Sequence, residues 1–290
     1  MGQATFHNKF KELAKIVEGW LGAYGSSLPA SEFLTNCIDY SLKGGGKRIR
    51  PILALATAEA LQIPLDRLTP IALALELLHT SSLVHDDLPA LDNDELRRGI
   101  PTCHKQFGEA AAILTGDMLI IEAFAVISRS SSEERVRVEW SKMLAEAGAA
   151  LCRGQVLDLV FSKRIRPEIE INPTAEQLRE ACLQKTAALF RAAVLSPLSL
   201  LEPSRAKTFS SAFDRYGTEL GLLFQISDDL LDASSGQAGA PYDYVAQHGP
   251  GAAALLADDC VKNARAALAN IPGDFSFLLE LLSVIRERKG

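Results

Sequence analysis

The chain has 290 residues, 48% of them hydrophobic, and carries a formal net charge of −6 from 36 acidic and 30 basic residues. This length and composition predict a single domain over residues 1–290 with a sizeable core, and no composition shift marks a second domain. The acidic balance argues against nucleic acid as a partner, because the chain has no overall basic field.

Apolar residues recur at spacings of three and four along almost the whole chain, beginning with Phe6, Phe10 and Leu13. The same period predicts further helices over residues 30–42, 49–61, 66–91, 105–129, 133–161, 174–195, 205–232, 251–270 and 275–287. Alternating β-branched runs between tight turns are scarce. The pattern therefore predicts an all-α bundle of about ten helices, whose central helices are apolar on most faces.

Turn-forming residues separate these helices. Three consecutive glycines, Gly44 to Gly46, interrupt the chain before the third helix. Thr174 and Gln177 have the spacing of a capping box at a helix N-terminus. The segment Ala233–Pro241 is rich in Gly, Ser and Ala, and this composition predicts a mobile loop after a long helix.

The sequence predicts no membrane-spanning segment. The longest apolar stretches are interrupted by Glu76, or by Arg191 and Pro197, and the N-terminus lacks the basic-then-apolar pattern of a signal peptide. The five cysteines include no CxxC pair, which indicates free thiols in a reducing compartment rather than a disulfide framework. A soluble cytoplasmic protein is the resulting prediction.

The first of two aspartate clusters consists of Asp86, Asp87 and Asp92, near the end of a predicted helix. On an ideal helix Asp86 and Asp92 would diverge by about 120°. Pro89 lies between them and cannot donate a backbone hydrogen bond, so a bulge there would return Asp92 to the face of Asp86. A proline-terminated helix followed by an acidic loop is the alternative interpretation.

The second cluster consists of Asp228, Asp229 and Asp232, and the first and last of these lie one turn apart on one helical face. Carboxylates are rarely tolerated among apolar residues unless they are paired or bind a cation. A solvated helix end is the alternative interpretation. Together the two clusters would balance about three divalent ions, and their all-oxygen ligands favour Mg²⁺ or Mn²⁺ over zinc. Two such walls would bind a phosphate-bearing substrate.

Basic residues also form two groups. Lys47, Arg48 and Arg50 follow the three glycines, and Arg97 and Arg98 follow the first aspartate cluster. Arginine can clamp phosphate oxygens with two hydrogen bonds, and lysine supplies a point charge. The first group is not a Walker A loop, because Arg48 stands where Ser or Thr is required. A surface basic loop is the alternative for either group.

Four other polar side chains lie in apolar stretches. His79 lies two helical turns before the first aspartate cluster, although a structural histidine is the more common interpretation. Gln225 lies about one turn before the second cluster and could turn its amide toward the same cavity. Lys185 and Thr186 lie between apolar segments and are candidates to face a phosphate or a cation.

With these motifs the chain resembles the short-chain trans-polyprenyl diphosphate synthases of the farnesyl/geranylgeranyl type. The matching segments occur in family order and are GGGKRIRP (44–51), LLHTSSLVHDDLPALDNDELRRG (77–99), PTCHKQFGEA (101–110), GQVLD (154–158), KTAALF (185–190) and FQISDDLLD (224–232). The Leu-Pro insertion in the first aspartate motif, together with PTCHKQFGEA, resembles the bacterial farnesyl synthase branch. The resemblance implies an isoprenoid synthase fold with a deep central cavity, usually in a homodimer.

The resemblance also implies a role for each candidate residue. The metal ligands would be Asp86, Asp87, Asp92, Asp228, Asp229 and Asp232. Isopentenyl diphosphate would be bound by Lys47, Arg50, His79 and Arg98. The allylic diphosphate would be bound by Arg97, Lys185, Thr186 and Gln225. The catalytic set would be Asp86, Asp87, Asp92, Lys185, Gln225 and Asp228.

The implied reaction is a Mg²⁺-dependent condensation of isopentenyl diphosphate with dimethylallyl, geranyl or farnesyl diphosphate. It proceeds by ionisation, condensation and elimination, and it needs no protein nucleophile. Two rival functions remain: a non-catalytic subunit that keeps the fold, and a terpene cyclase with one diphosphate substrate. The cyclase would not need a second phosphate site, so Lys47, Arg50 and Arg98 discriminate against it.

Two features leave details open. Family members usually carry one or two lysines in the loop after the second cluster, whereas residues 233–239 contain none and Pro241 stands about where a lysine is expected. Ser81 and Ser82 stand where enzymes that stop at farnesyl usually carry an aromatic plug, so these small residues favour a geranylgeranyl product. The overall resemblance favours farnesyl, and a neighbouring side chain such as Met118 is an alternative plug.

Overall fold

Helices make up almost all of this computed structural model, which describes residues 2–27, 32–165, 168, 172–235 and 243–288. The α-helices within those residues are α1 (Gln3–Gly25), α2 (Glu32–Lys43), α3 (Ile49–Ala60), α4 (Thr69–Asp86), α5 (Cys103–Phe107), α6 (Glu109–Ser128), α7 (Glu134–Phe161), α8 (Ala175–Cys182), α9 (Ala188–Leu195), α10 (Pro203–Ser235), α11 (Tyr244–Leu268) and α12 (Ser276–Arg286). Two 3-10 segments, Leu65–Leu68 and Ser196–Leu200, precede α4 and follow α9. The all-α prediction is confirmed.

The core lies around α3, α4, α9 and α10. Helices α3 and α9 are buried on nearly all sides, as their apolar sequences predict, and α4 packs against α3, α6, α7 and α9. Helix α10 packs against α9 and α11. The carboxyl end of α4 and the last third of α10 thereby carry the two aspartate clusters on central elements.

Large side chains in this core keep their polar atoms paired. The indole Nε1 of Trp140 donates to the carbonyl of Ser196 at 2.8 Å, and the Tyr216 hydroxyl donates to the carbonyl of Leu278 at 2.8 Å. Both side chains are fully buried. Such pairing avoids the cost of an unsatisfied buried polar group.

The helix predicted over 174–195 is divided into three parts. It begins at the expected capping box, where Gln177 N–H donates to the Thr174 hydroxyl and the Thr174 N–H donates to the Gln177 side chain. A π-helical segment, Leu183–Ala187, then joins α8 to α9. Glycines on two neighbours, Gly154 and Gly221, allow the close approach, since a Cβ at either would overlap backbone atoms of this segment.

Other element boundaries also differ from the prediction. The helix expected over 66–91 ends at Asp86, and that over 105–129 divides at Gly108, whose φ is 89°. Helix α11 begins before the expected 251–270, with a kink at Gly249 and Pro250. Residues 233–235 continue α10, whereas the rest of the predicted loop lies outside the described residues.

Helix α6 is the one described helix that bears on the prediction of no membrane-spanning segment, and it does not overturn that prediction. It is long and apolar enough, by length and composition, to cross a membrane, with a mean hydropathy of 2.0 over its most apolar window. A core helix of an all-α domain passes the same test. Only 39% of that window is buried within the chain, which leaves an apolar face of α6 without a partner in the described structure.

Candidate active site

The first aspartate cluster lies on a turn that closes the end of α4. The Leu88 N–H donates to the His85 carbonyl at 3.0 Å, and the Asp92 N–H donates to the Asp86 carbonyl at 2.8 Å. The predicted helical bulge at Pro89 is therefore wrong, because the chain leaves the helix and turns back instead. The turn nevertheless brings Asp92 back to Asp86, as the bulge would have done.

The three carboxylates of this cluster have different surroundings. Burial raises the pKa of Asp86 to about 7, although the nearby Lys185 ammonium lowers it. The pKa of Asp92 is also raised, again chiefly by burial, and Lys185 opposes that shift too. Asp87 is buried and accepts a hydrogen bond from Arg97 Nε at 2.6 Å. The Lys185 charge therefore acts on both Asp86 and Asp92, whereas Asp87 is paired with Arg97.

A hairpin that the sequence analysis missed presents the two arginines. Strands β1 (Leu96–Arg97) and β2 (Ile100–Pro101) pair antiparallel across Arg98 and Gly99, whose φ values are 54° and 81°. Two positive φ values at the central positions are those of a type I′ turn. Arg97 points to Asp87, and Arg98 lies against Gly46, where a Cβ would overlap its guanidinium.

The second cluster lies on the last turns of α10. Asp228 pairs with Arg288 at 3.0 Å, and burial raises its pKa. Asp229 accepts hydrogen bonds from Gln225 Nε2 at 2.9 Å and from the Tyr244 N–H at 3.2 Å. Burial nevertheless raises the pKa of Asp229 to about 6. These carboxylates are costly to ionise where they stand.

A cavity of about 200 Å³, the acidic cavity below, opens beside the second cluster. Its polar lining residues are Asp158, Lys185, Thr186, Gln225, Asp229, Asp232 and Asp243. Lys185 forms an ion pair with Asp158, and the Thr186 hydroxyl donates to Gln225 Oε1 at 2.9 Å. The π-helical segment thus presents Lys185 to Asp158 of α7 and Thr186 to Gln225 of α10, and such segments are frequent at functional sites.

A second pocket of about 410 Å³, the cationic pocket below, reaches α10 at Phe224, the residue next to Gln225. Its lining includes Lys47, Arg50, His79, Arg98 and Phe224. Burial lowers the pKa of Lys47 and brings that of Arg50 down to about 10. Burial, and then the Arg50 and Arg98 charges, hold the pKa of His79 well below 6.5, so its imidazole is neutral.

The basic residues after the three glycines differ in whether they are paired within the protein. Arg48 has a left-handed backbone with φ of 47° and a buried guanidinium. That guanidinium pairs with Glu76 at 2.7 Å and with Glu18 at 2.6 Å. Arg50, in contrast, keeps a buried Nε that has no partner among the described residues. Arg48 is therefore paired within the fold, whereas Lys47 and Arg50 are candidates to bind an anion.

The two candidate chain-length residues lie inside α4. The Ser81 side chain is buried and its hydroxyl donates to the Leu78 carbonyl at 2.7 Å. Ser82 is less buried and donates to the His79 carbonyl at 2.9 Å. Each hydroxyl donates its hydrogen bond within α4, and neither small side chain fills space away from that helix. Met118 on α6 packs against the same core.

Comparison with known proteins decides the family. The sequence model described as polyprenyl synthetase matches residues 31–240. The chain belongs to the polyprenyl synthetase family. Among its curated relatives, a geranylgeranyl diphosphate synthase of Cyanophora paradoxa is 41% identical over 77% of this chain and 73% of that protein. A farnesyl diphosphate synthase of Micrococcus luteus is 38% identical over 70% of this chain and 68% of that protein.

Solved structures agree on the fold of this chain. A geranyltransferase from Legionella pneumophila superposes with a TM-score of 0.88 at 30% identity, over 98% of both chains. An FPP/GFPP synthase from Zymomonas mobilis gives a TM-score of 0.85 at 28% identity, over 97% of this chain and 99% of that one. The predicted isoprenoid synthase fold is confirmed.

The donor atoms of the two aspartate clusters fit a hard divalent cation. Each cluster offers carboxylate oxygens, and burial raises the pKa of several of them, which a bound cation would reverse. Within the described ranges no group of three His, Cys, Asp or Glu side chains converges on one point. Mg²⁺ is usually held by one or two carboxylates together with substrate phosphates, so the arrangement fits that ion.

Two cations at the site escaped the sequence analysis. Arg288, near the C-terminus, pairs with Asp228, lies 5.3 Å from the Phe224 ring centroid, and keeps a buried Nη1 without a partner in the described part of the chain. Arg164, just after α7, pairs with Asp92 at 2.9 Å. Neither lies in a motif, and the only sequence signal is the basic end of the chain around Arg288.

Proposed function

We propose that this protein is a Mg²⁺-dependent prenyltransferase that condenses isopentenyl diphosphate with an allylic diphosphate. The primers are dimethylallyl, geranyl or farnesyl diphosphate, and the product is farnesyl or geranylgeranyl diphosphate. One observation carries the proposal. Adjacent residues of α10 line two different pockets, since Gln225 lines the acidic cavity and Phe224 lines the cationic pocket. Two diphosphate sites that meet at neighbouring residues of α10 would bring the carbon chains of two substrates together, as a condensation requires.

The acidic cavity suits the allylic diphosphate. Asp86, Asp92 and Asp228 would hold Mg²⁺, with Asp87, Asp229 and Asp232 in support, and about three ions match their charge. When bound, these ions stabilise the charge that grows on the leaving diphosphate. The chain's own donors to that diphosphate are Arg97, Lys185, Thr186 and Gln225.

Neighbouring side chains of the same chain orient these donors. Asp87 holds the Arg97 guanidinium through a hydrogen bond of 2.6 Å, and Asp229 fixes the Gln225 amide at 2.9 Å. The Thr186 hydroxyl donates to the same amide. Donors held in this way need little reorganisation when the substrate ionises.

The cationic pocket suits isopentenyl diphosphate. Lys47, Arg50 and Arg98 supply positive charge, and the neutral imidazole of His79 supplies a further hydrogen-bonding group. The Phe190 and Phe224 rings pack together with centroids 5.3 Å apart beside Arg50 and form an apolar wall. Excluding water there protects an allylic cation from quenching. The departing diphosphate accepts the proton that is lost, so no protein nucleophile is needed.

The two pockets argue against the rival function, a terpene cyclase with a single diphosphate substrate. Such an enzyme would leave Lys47, Arg50 and Arg98 without a ligand, and clustering unpaired cations is costly. The test incubates purified protein with Mg²⁺, isopentenyl diphosphate and each allylic primer in turn, followed by chain-length analysis. Elongation that EDTA abolishes supports the proposal, and no elongation with any primer contradicts it.

Replacing Ser81 with tyrosine is expected to shorten the product. Ser81 lies five residues before Asp86 on α4, so a ring there would occupy space along the helix that a growing chain follows. We expect the ratio of C15 to C20 products to rise about tenfold, a size typical of excluding a few methylenes. Chromatography of the products measures this ratio. Ser210→Tyr, at an exposed position, is the control, and an unchanged ratio in Ser81→Tyr removes this residue as the determinant.

We further infer that two copies of this chain pair through α6. Its unburied face carries Ile113, Leu114 and Ile121, with Leu114 59% and Ile121 61% exposed. Two more exposed valines, Val138 and Val156, lie on the neighbouring α7. An exposed apolar helix face of this kind marks an interaction site, and a two-fold pair of identical faces is its simplest partner.

Leu114→Glu is expected to dissociate the pair, because a buried, unpaired charge at an interface is costly. Sedimentation equilibrium should give wild type twice the chain mass of 31.3 kDa, and the variant that mass alone. Leu255→Glu, at a leucine that is exposed on α11, is the matched control and should stay paired. A monomeric wild type would contradict the inference.

Domain organisation and location follow as proposals. The described helices share one hydrophobic cluster from Phe6 to Ile285, which supports a single domain over residues 1–290. All five cysteines are free thiols, and four of them are buried. Free thiols are usual in a reducing compartment, which supports a cytoplasmic location.

A further inference from the structure

The turn that ends α7 directs an arginine at the first aspartate cluster. Lys163 follows the helix with a left-handed φ of 57°. The Lys163 N–H donates to the Val160 carbonyl at 3.1 Å, and the Arg164 N–H donates to the Leu159 carbonyl at 2.9 Å. This pair of bonds is a Schellman motif, which fixes how the chain leaves the helix. The backbone of Arg164 is therefore held in place, and only its side chain is free to move.

The Arg164 side chain makes two contacts with the turn after α4. Its Nη1 donates to Asp92 Oδ1 at 2.9 Å and also to the Leu91 carbonyl. Both partners belong to the segment that brings Asp92 back to Asp86. The Asp92 side chain is 29% exposed and that of Arg164 46% exposed, so the pair lies at the mouth of the site.

Arg164 and a divalent cation would need the same carboxylate. An oxygen that accepts a hydrogen bond from a guanidinium has fewer lone pairs for a metal, and the two positive charges repel at close range. Ion pairs with this exposure are weak, so the guanidinium can be displaced at small cost. The Lys185 ammonium, which also acts on Asp92, is instead tied to Asp158.

We propose that Arg164 is a positioning residue that occupies Asp92 in the metal-free protein and competes with the divalent cation there. This inference rests on the proposed function in one respect, that Asp92 is a metal ligand. Cation binding then requires the Arg164 side chain to leave Asp92, while the Schellman motif keeps its backbone fixed. The first cluster is held in shape without a cation and binds one less tightly than its bare carboxylates would.

The test measures binding of Mn²⁺ alone to the full chain, by the loss of the free-ion electron paramagnetic resonance signal. Arg164→Gln is expected to bind Mn²⁺ about two- to fivefold more tightly than wild type, the size of an exposed ion pair. Lys163→Gln is the matched control, since it removes one positive charge from the adjacent residue without touching Asp92. It should bind Mn²⁺ as wild type does.

A double-mutant cycle separates competition at Asp92 from a general charge effect. In an Asp92→Asn background, Arg164→Gln should leave Mn²⁺ affinity unchanged, because no contact remains to be lost. Equal or weaker binding by Arg164→Gln overturns the inference, and so does an equal gain in Lys163→Gln or a gain that persists in Asp92→Asn. Absence of saturable binding in both wild type and Arg164→Gln overturns it too.

The elongation assay with wild type at saturating Mg²⁺ reports on the proposed function separately. If wild type elongates but Arg164→Gln does not gain Mn²⁺ affinity, only the competition between Arg164 and the cation at Asp92 is rejected. Wild type that never elongates rejects the proposed function, whatever the metal titration gives.

Discussion

Asp86→Asn is expected to lower the elongation rate about a thousandfold, the scale of losing one group that stabilises charge in a transition state. Asparagine is nearly the same size but cannot supply the negative charge that a divalent cation requires. Asp66→Asn, at an exposed residue of the 3-10 segment before α4, is the control. The turnover number with geranyl and isopentenyl diphosphates at saturating Mg²⁺ measures the effect.

The same variant should melt at a higher temperature without metal. Burial raises the Asp86 pKa from 3.8 to about 7, so the folded state favours the protonated carboxyl. The stabilisation that comes from protonated Asp86 is complete below pH 3.8 and is lost as the pH rises through about 7. We therefore expect Asp86→Asn to raise the melting temperature by a few degrees at pH 8 and not at pH 3.5. Loss of activity together with a lower melting temperature at pH 8 would contradict this account of the site.

Arg50→Gln is expected to raise the KM for isopentenyl diphosphate about 10- to 100-fold, which corresponds to one charge-assisted hydrogen bond. The KM for the allylic primer should not change, because Arg50 lines the cationic pocket and not the acidic cavity. Arg50→Lys keeps the charge but loses the planar fork, so an intermediate KM is expected.

Arg67→Gln, at an exposed arginine before α4, is the control for removing a positive charge. Initial rates with each substrate varied in turn give the two KM values. An equal rise in both would mean that the two pockets do not bind separate substrates, and no rise in either would mean that Arg50 does not bind isopentenyl diphosphate.

Helical periodicity predicted the fold well because most helices here are long and lie against one core. The stripe of Phe6, Phe10 and Leu13 became α1, and the capping box at Thr174 begins α8 where expected. Periodicity failed where a local choice depends on distant partners. Pro89 allowed either a bulge or a turn, and the hydrogen bond from Asp92 to the Asp86 carbonyl decides for the turn.

The rest of the site depends on contacts that no short window contains. The π-helical segment with Lys185 forms where Gly154 and Gly221, distant in sequence, admit its backbone. The hairpin has strands of two residues each, too short to show a period, although Arg98-Gly99 is a reasonable turn pair. Arg288 comes within reach of Asp228 only after the helices between them have packed.

The most direct measurement is a crystal structure of the protein with Mg²⁺, isopentenyl diphosphate and an unreactive thio analogue of geranyl diphosphate. Our account predicts two diphosphates, one bridged by metal to Asp86, Asp92 and Asp228, and one against Lys47, Arg50, His79 and Arg98. It also predicts that the two carbon chains meet beside Phe224. A single diphosphate site, or metal bound away from both aspartate clusters, would contradict it.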